Sequence, residues 1–261
     1  MLEGIPKREY PKLFYRYFKE FLEVLSGKTS LKLYLARNYP SFYKPTFREG
    51  EKLKWKGFSI SYPKICINEP PPDLAYLTHV LLGQYSIPEC DVKKDDIVFD
   101  VGAHIGFFSY YAKQKGAKEV YAFEPNPYVF EILKKHAELW SDKIKPFEIA
   151  LYSSDGFQDL SIPHPLAGWS TLRDVECSQK VRIKTMTLDN FVKEYKIERV
   201  DFIKIDAEGA EREIIKGARE TIKNFKPRMA IAAYHLPDDK KVIPELVLSI
   251  RDDYKYKLVN K

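Results

Sequence analysis

The sequence predicts an α/β protein with a doubly wound, mostly parallel sheet and an N-terminal appendage of helix and strand. Short apolar runs, typical of strands buried on both faces, occur at 97–101, 119–124, 145–151, 200–206 and 228–235. Helical stretches follow most of these runs, and such alternation indicates right-handed βαβ crossovers. A break in this alternation over 152–186 predicts an inserted antiparallel segment.

Residues 1–72 are predicted to form a basic, aromatic-rich appendage. The first 64 residues hold 14 Lys and Arg against 6 Asp and Glu, and 14 of the chain's 37 aromatic residues. An amphipathic helix is expected over 10–25, a strand pair over 53–62, and a proline-rich linker over 68–73. Two interpretations stay open: a packed helical cap, or a surface for an anionic partner such as a phosphorylated glycan, a lipid headgroup or RNA.

Composition excludes several classes of protein. The 261 residues are 44% hydrophobic and 31% charged, which suits a folded core rather than a disordered chain. No apolar run is long enough to span a membrane, and the first residues lack the apolar segment of a secretory signal. Cys66, Cys90 and Cys177 are too few for a disulfide framework or a four-thiolate zinc site. We therefore expect a cytoplasmic protein.

The remaining elements of the body, residues 73–261, follow in order. Asp73 is expected to cap a helix over 74–85. Helices are then predicted over 107–116 and 125–140, the second with a proline at its start. Two more helices are expected over 210–225 and 240–250, and a last strand over 254–259.

The first chemical motif is the turn D-V-G-A-H-I-G, from Asp100 to Gly106, between a strand and a helix. Glycines let the backbone approach a ligand closely, and the helix N-terminus offers unpaired amides. The turn lacks the third glycine of a dinucleotide fingerprint, which argues against NAD. Asp100 lies two residues before the first glycine, where an acid repels pyrophosphate but suits the ammonium group of an amino acid.

The second motif is E-P-N-P, which begins with Glu124 at the end of the second strand. An acid at this position can accept hydrogen bonds from both hydroxyls of a ribose. Asn126 can add an amide contact or cap the next helix. An acid for an amino group, a glycine turn and an acid for a ribose together indicate S-adenosylmethionine.

A third group of polar residues follows the last two strands. Asp206 and Glu208 come after the fourth strand, and His235 ends the fifth, so all three are expected at the same edge of the sheet. Each can take a proton from an acceptor hydroxyl, and the sequence does not rank them. Lys204 is expected to pair with Asp206. No third well-placed ligand is visible, so no metal is predicted.

These motifs, in this order, resemble the FkbM-type family of S-adenosylmethionine-dependent methyltransferases. The similarity covers roughly residues 85–250 and includes T-M-T-L-D-N-F followed by K-I-D-A-E-G-A-E. It implies a class I methyltransferase, with a Rossmann-like sheet of seven strands, that methylates a hydroxyl of a sugar or natural product. His104 stands where the family very often has asparagine, and the chain leaves little room for the usual final hairpin.

The resemblance also implies residue roles. Gly102, Ala103, His104 and Gly106 would hold the methionine portion, Glu124 the ribose, and Asp206 would border cofactor and acceptor. The full set of predicted cofactor-binding residues is Asp100, Gly102, Ala103, His104, Gly106, Glu124, Asn126, Ala150 and Asp206. The candidate catalytic residues are Asp206, Glu208 and His235.

The expected partner is a hydroxylated small molecule or glycan. The alternatives are an RNA methyltransferase that uses the basic appendage and a non-catalytic binding module with a cofactor fold. The sequence does not determine the oligomeric state.

Overall fold

A computed structural model describes residues 22, 25–26, 52–55, 58–61, 84–162, 171–173 and 179–259. The chain divides into two compact units, one of residues 1–64 and 70–82, the other of residues 65–69 and 83–261. Most of the predicted helix over 10–25, the linker over 68–73 and residues 74–83 lie outside the described residues. No helix among the described residues has both the length and the hydropathy needed to cross a membrane.

The strands of the described residues are β1 (Lys52–Trp55), β2 (Phe58–Ser61), β3 (Ile97–Val101), β4 (Glu119–Phe123), β5 (Ile144–Phe147), β6 (Ala150–Leu151), β7 (Gly156–Ile162), β8 (Gln179–Met186), β9 (Phe202–Ile205) and β10 (Arg228–Ile231). The helices are α1 (Phe107–Gln114), α2 (Pro127–Trp140), α3 (Leu188–Glu194), α4 (Glu211–Lys216), α5 (Arg219–Phe225) and α6 (Asp239–Ile250).

In the first unit, β1 and β2 form the predicted strand pair, which is antiparallel, with Trp55 opposite Phe58. In the second unit, five strands of the described residues form a parallel sheet in the order β10-β9-β3-β4-β5. The resemblance implied seven strands. From β3 the chain adds β4 and β5 on one side of the sheet, and it then returns to add β9 and β10 on the other side of β3. The topological switch point therefore lies between β3 and β9.

An aromatic cluster packs α3 against this sheet. Phe191 of α3 is fully buried, with its ring centroid 4.7 Å from that of Phe123 and 4.9 Å from that of Phe147. The side chain of Thr187 caps the helix by accepting from the Asn190 N–H. The T-L-D-N-F stretch therefore anchors a helix on the sheet.

Three predicted elements differ from the observed ones. The strand expected over 145–151 is two strands, because the chain leaves β5 and joins the small sheet at β6. The helix expected over 210–225 is interrupted at Gly217, where a Cβ atom would lie 2.0 Å from the Tyr152 carbonyl oxygen. Residues 254–259 form no strand with any described residue, and the Tyr254 hydroxyl instead donates to the Pro227 carbonyl.

The inserted segment forms a small sheet of described strands in the order β6-β8-β7. β7 and β8 are antiparallel, as predicted, and β6 is parallel to β8. Ala150 packs there with Leu160, Ile162 and Ile183 in a small apolar cluster. Thr171 continues the sheet through an isolated bridge to Ser161.

A buried ion pair joins β3 and β9 at the switch point. Asp100 and Lys204 are direct partners in the parallel register, and the Lys204 Nζ lies 3.1 Å from the Asp100 Oδ1. Both side chains are at most 1% exposed. The same ammonium donates to the carbonyls of Val101 and Gly102, at 3.2 and 2.6 Å. Lys204 was expected to pair with Asp206. Its partner is instead Asp100.

Replacing the lysine of this pair should strongly destabilise the fold. Lys204→Met leaves a buried carboxylate without its counter-charge, which costs about 3–5 kcal/mol in free energy of unfolding. Urea denaturation followed by circular dichroism measures this loss. The matched control is Lys216→Met, which removes a half-exposed lysine paired with Glu213 and should cost about 0–1 kcal/mol. Equal losses in the two variants would contradict the assignment.

Candidate functional site

The turn after β3 is held tightly against its neighbours. The N–H groups of Gly102 and Ala103 donate to the Phe123 carbonyl, at 3.1 and 2.9 Å. Gly102 has a φ of +72°, and a Cβ atom on it would lie 1.9 Å from the Asp206 carbonyl oxygen. Only glycine fits this position, and its contact brings the turn directly against the chain that follows β9.

Glu124 closes the other side of the turn. Its carboxylate accepts from the N–H groups of His104 and Asn126, at 2.8 and 2.9 Å. Burial raises the pKa of Glu124 to about 7, against the opposing effect of those two donors. Burial also lowers the pKa of His104 to about 4, with a further contribution from Lys204, so the His104 ring is neutral at pH 7.

Asn126 has an unused donor at the start of α2. Its Oδ1 caps the helix by accepting from the Tyr128 N–H at 3.1 Å. The side chain is 1% exposed, and its Nδ2 has no acceptor among the described residues. Buried polar groups are rarely left without partners, so this amide fits a ligand acceptor beside Glu124.

Asp100, which was expected to lie near a ligand ammonium group, is buried in the core. The side chain is fully buried, paired with Lys204, and accepts from the Ser109 hydroxyl at 2.7 Å. A carboxylate that is already neutralised within the core is not available to a ligand ammonium group. Its role in the described structure is to hold Lys204 below the turn.

Asp206 receives hydroxyl groups from two tyrosines. The Tyr234 hydroxyl lies 3.2 and 3.1 Å from its two oxygens, and the Tyr85 hydroxyl donates to Oδ2. The Asp206 side chain is 9% exposed, whereas Tyr234 is 62% exposed. The exposed Tyr234 hydroxyl therefore covers the solvent-facing side of this carboxylate.

His235 lies among three carboxylates. Its Nε2 is 3.6 Å from Asp206 Oδ1 and 3.3 Å from Glu208 Oε2, and its Nδ1 is 3.0 Å from Glu211 Oε1. Burial alone would lower the pKa of His235. The three carboxylates outweigh burial and raise that pKa to about 10. A raised pKa favours the imidazolium form of His235 at pH 7.

Glu211 fixes the imidazolium from below. It is 1% exposed, and its Oε1 accepts from the N–H groups of Ala207 and Gly209, at 2.8 and 3.4 Å. Burial would raise the pKa of Glu211, but His235 and the Ala207 N–H lower it. Glu211 was not among the predicted site residues. Its spacing of three residues from Glu208 was the available signal.

One group of described side chains has the geometry to surround a cation. Single ligand atoms of Asp206, Glu211 and His235 lie within 4.8 Å of one another. Glu211 is thus a third candidate ligand that the sequence analysis did not find, and the expectation of no metal stays a prediction.

The structure gathers most of the predicted site residues around the switch point. Gly102, Ala103, His104, Glu124 and Asn126 surround the turn, and Asp206, Glu208 and His235 form the neighbouring cluster. Two predicted residues have packing roles. Ala150 belongs to the small-sheet cluster, and a Cβ atom on Gly106 would lie 2.8 Å from Leu133. Sequence reasoning missed Tyr85, which lies 121 residues from its partner Asp206.

The family model of the methyltransferase FkbM domain matches residues 100–258 of this chain. The hexuronic acid methyltransferase AglP of Haloferax volcanii is 30% identical over 158 residues, covering 60% of this chain and 63% of that protein. The 2-O-methyltransferase NoeI of Sinorhizobium fredii is 25% identical over 150 residues, covering 50% and 60%. The matches thus span about three fifths of the length of these relatives.

A similar solved structure is that of the methyltransferase FkbM from Methylobacillus flagellatus. It is 24% identical, with a TM-score of 0.47, and the match covers 62% of this chain and 39% of that chain.

The charge of His235 can be measured directly. The ring nitrogens should report an imidazolium at pH 8 by ¹⁵N NMR, because the pKa is raised to about 10. The pKa of His235 in the folded state lies above its ordinary value of 6.5. The contribution of the charged ring to folding stability is therefore complete below pH 6.5 and is lost as the pH rises through about 10.

Glu211→Gln should lower the titration midpoint of His235, because it removes the charge beside Nδ1. Glu213→Gln is the matched control, since Glu213 lies on the same helix and pairs with Lys216. A neutral His235 ring at pH 8 in the wild type would show that the carboxylates do not outweigh burial.

Proposed function

The chain belongs to the FkbM methyltransferase family, and we propose on that basis that it transfers a methyl group from S-adenosylmethionine to a hydroxyl oxygen of a sugar or another small molecule. Two relatives support a hydroxylated acceptor by their names, one as a hexuronic acid methyltransferase and one as a 2-O-methyltransferase. The observation that carries the proposal is the close contact of Gly102 with the Asp206 backbone. This contact places the proposed cofactor turn beside the Asp206 carboxylate, which accepts a hydrogen bond from the Tyr234 hydroxyl.

The residues around the turn fit the proposed cofactor. Glu124 would accept from the ribose hydroxyls, and the buried Nδ2 of Asn126 offers a donor to the same ligand. Gly102, Ala103 and His104 would border the methionine portion with their backbone, while Asp206 would lie between cofactor and acceptor. S-adenosylmethionine, when bound, supplies a methyl group that its sulfonium already activates.

The protein must then position the acceptor and receive its proton. His235 already holds a proton, and Glu211 is buried beneath it, so neither can serve as the base. Asp206 is the base we propose, because a sugar hydroxyl can take the place of the exposed Tyr234 hydroxyl and donate to the same carboxylate.

Glu208 has a second role in this arrangement. Its backbone is held in the left-handed region, with a φ of +52°, and its side chain is 37% exposed. The contact with His235 Nε2 places its carboxylate at the rim of the cluster. Glu208 can therefore orient a further acceptor hydroxyl, while Tyr85 fixes Asp206 from the buried side.

The proposed cofactor is tested by calorimetric titration with S-adenosylhomocysteine, with NAD as the control ligand. We expect saturable binding of S-adenosylhomocysteine and none of NAD. Transfer is then tested with a labelled methyl donor and a panel of sugars that differ in their hydroxyl and carboxylate groups. Binding of NAD, or no binding of S-adenosylhomocysteine by the folded protein, would overturn the proposal.

Cofactor affinity should depend on the charge of Glu124. The ribose hydroxyls donate to the ionised carboxylate, so binding should strengthen as the pH rises through about 7. We expect a gain of about tenfold between pH 6 and pH 8, the ratio set by a single titrating group. Glu124→Gln should bind more weakly and lose the pH dependence. Glu119→Gln, at the start of the same strand, is the control and should keep it.

Asp206→Asn should remove the proton acceptor while it preserves the shape of the site. Methyl transfer to an accepted sugar should fall about 10²- to 10⁴-fold, the usual contribution of a positioned base. S-adenosylhomocysteine should still bind. Asp238→Asn, which alters an exposed acid paired with Arg212, should keep full activity. Undiminished transfer by Asp206→Asn would assign the base elsewhere.

A further inference from the structure

Arg173 lies directly over the turn that carries the acidic cluster. A Cβ atom on Gly209 would be 2.9 Å from the Arg173 Cδ and 3.5 Å from its Nη1. Gly209 also has a φ of +99°, which side chains rarely adopt. The glycine of D-A-E-G-A-E thus leaves room for an arginine that comes from the inserted segment.

The backbone of Arg173 is fixed at this position. Its N–H donates to the Thr171 hydroxyl at 3.2 Å, and its carbonyl accepts from the Ser161 hydroxyl at 3.1 Å. The Thr171 hydroxyl in turn donates to the Glu208 carbonyl at 2.8 Å. These bonds connect the inserted segment to Glu208, so Arg173 is held beside the cluster of Asp206, Glu208 and His235.

The guanidinium of Arg173 is not neutralised within the described part of the chain. The side chain is exposed, and none of the ion pairs between described residues includes it. Arg212, at the other end of the same turn, is by contrast paired with Asp238 and Asp239. Arg173 therefore presents its donors to solvent at the rim of the site.

An acidic acceptor requires such a group. The carboxylates of Asp206 and Glu208 repel an anion, and the His235 imidazolium is already surrounded by three acids. A guanidinium binds a carboxylate or a phosphate through two parallel hydrogen bonds, which fixes orientation as well as charge. A neutral sugar gains little from this contact.

We propose that Arg173 forms an anion subsite of the acceptor pocket, which binds the carboxylate or phosphate of an acidic sugar whose hydroxyl faces Asp206. This inference rests on the proposed function and adds the substrate class. The inserted segment, through Arg173, would then select the acceptor, while the switch point of the sheet binds the cofactor.

The test measures sugar binding by the full chain saturated with S-adenosylhomocysteine. Glucuronic acid, glucose 6-phosphate and glucose are the probes, compared by titration calorimetry or ligand-observed NMR. We expect at least one of the two anionic sugars to bind about tenfold or more tightly than glucose, the scale of one charge-assisted contact. The anionic sugar that binds more tightly shows whether the subsite prefers a carboxylate or a phosphate.

Arg173→Gln should abolish the preference for the anionic sugar, and Arg173→Lys should retain part of it. The control is Arg182→Gln, because Arg182 is an exposed arginine of the same inserted segment that packs on Phe157. Equal binding of charged and neutral sugars by the wild type, no binding of any probe, or a preference that survives Arg173→Gln would overturn the inference.

Failure of the proposed function has a different signature. A wild type that does not bind S-adenosylhomocysteine would contradict the methyltransferase proposal before any sugar is added. Arg173→Gln should bind S-adenosylhomocysteine as the wild type does, which also shows that the variant is folded. Loss of anion preference with intact cofactor binding therefore tests the subsite alone.

Discussion

The ion pair of Asp100 with Lys204 is the interaction on which the site depends. It joins β3 to β9 at the switch point, where both side chains are at most 1% exposed. A lysine held there must have a counter-charge and acceptors, and it finds them in Asp100 and the carbonyls of Val101 and Gly102. The glycine turn is thereby held against the chain after β9, so the proposed cofactor side and the proposed acceptor side adjoin.

Electrostatics then assigns the roles within that site. Three nearby carboxylates stabilise the protonated form of the His235 imidazole and raise its pKa. Histidine is the residue type most often associated with acid–base catalysis, but here it is a fixed cation. Its Nε2 lies between the side chains of Asp206 and Glu208, at 3.6 and 3.3 Å. The proton acceptor that we propose is consequently the Asp206 carboxylate, and His235 positions it.

Motifs that look alike in the sequence divide into structural and chemical ones. Asp189 of the T-L-D-N-F stretch accepts from the N–H groups of Glu220 and Thr221 and so caps α5. Its neighbour Phe191 fills the aromatic cluster against β4 and β5. These residues make the stretch a packing element, whereas the D-A-E-G-A-E turn carries the charges and seats the proposed anion subsite.

The sequence by itself determined the parallel sheet, the antiparallel insertion and the edge of the sheet where Glu124, Asp206 and His235 lie, because those features follow from local apolar periodicity and from where strands end. Only the tertiary structure decided that Lys204 pairs with Asp100, that Tyr85 reaches Asp206 from 121 residues away, and that His235 is charged. A side chain's partner and its pKa depend on neighbours brought close by the fold, and residues distant in the chain carry no local pattern that announces the contact.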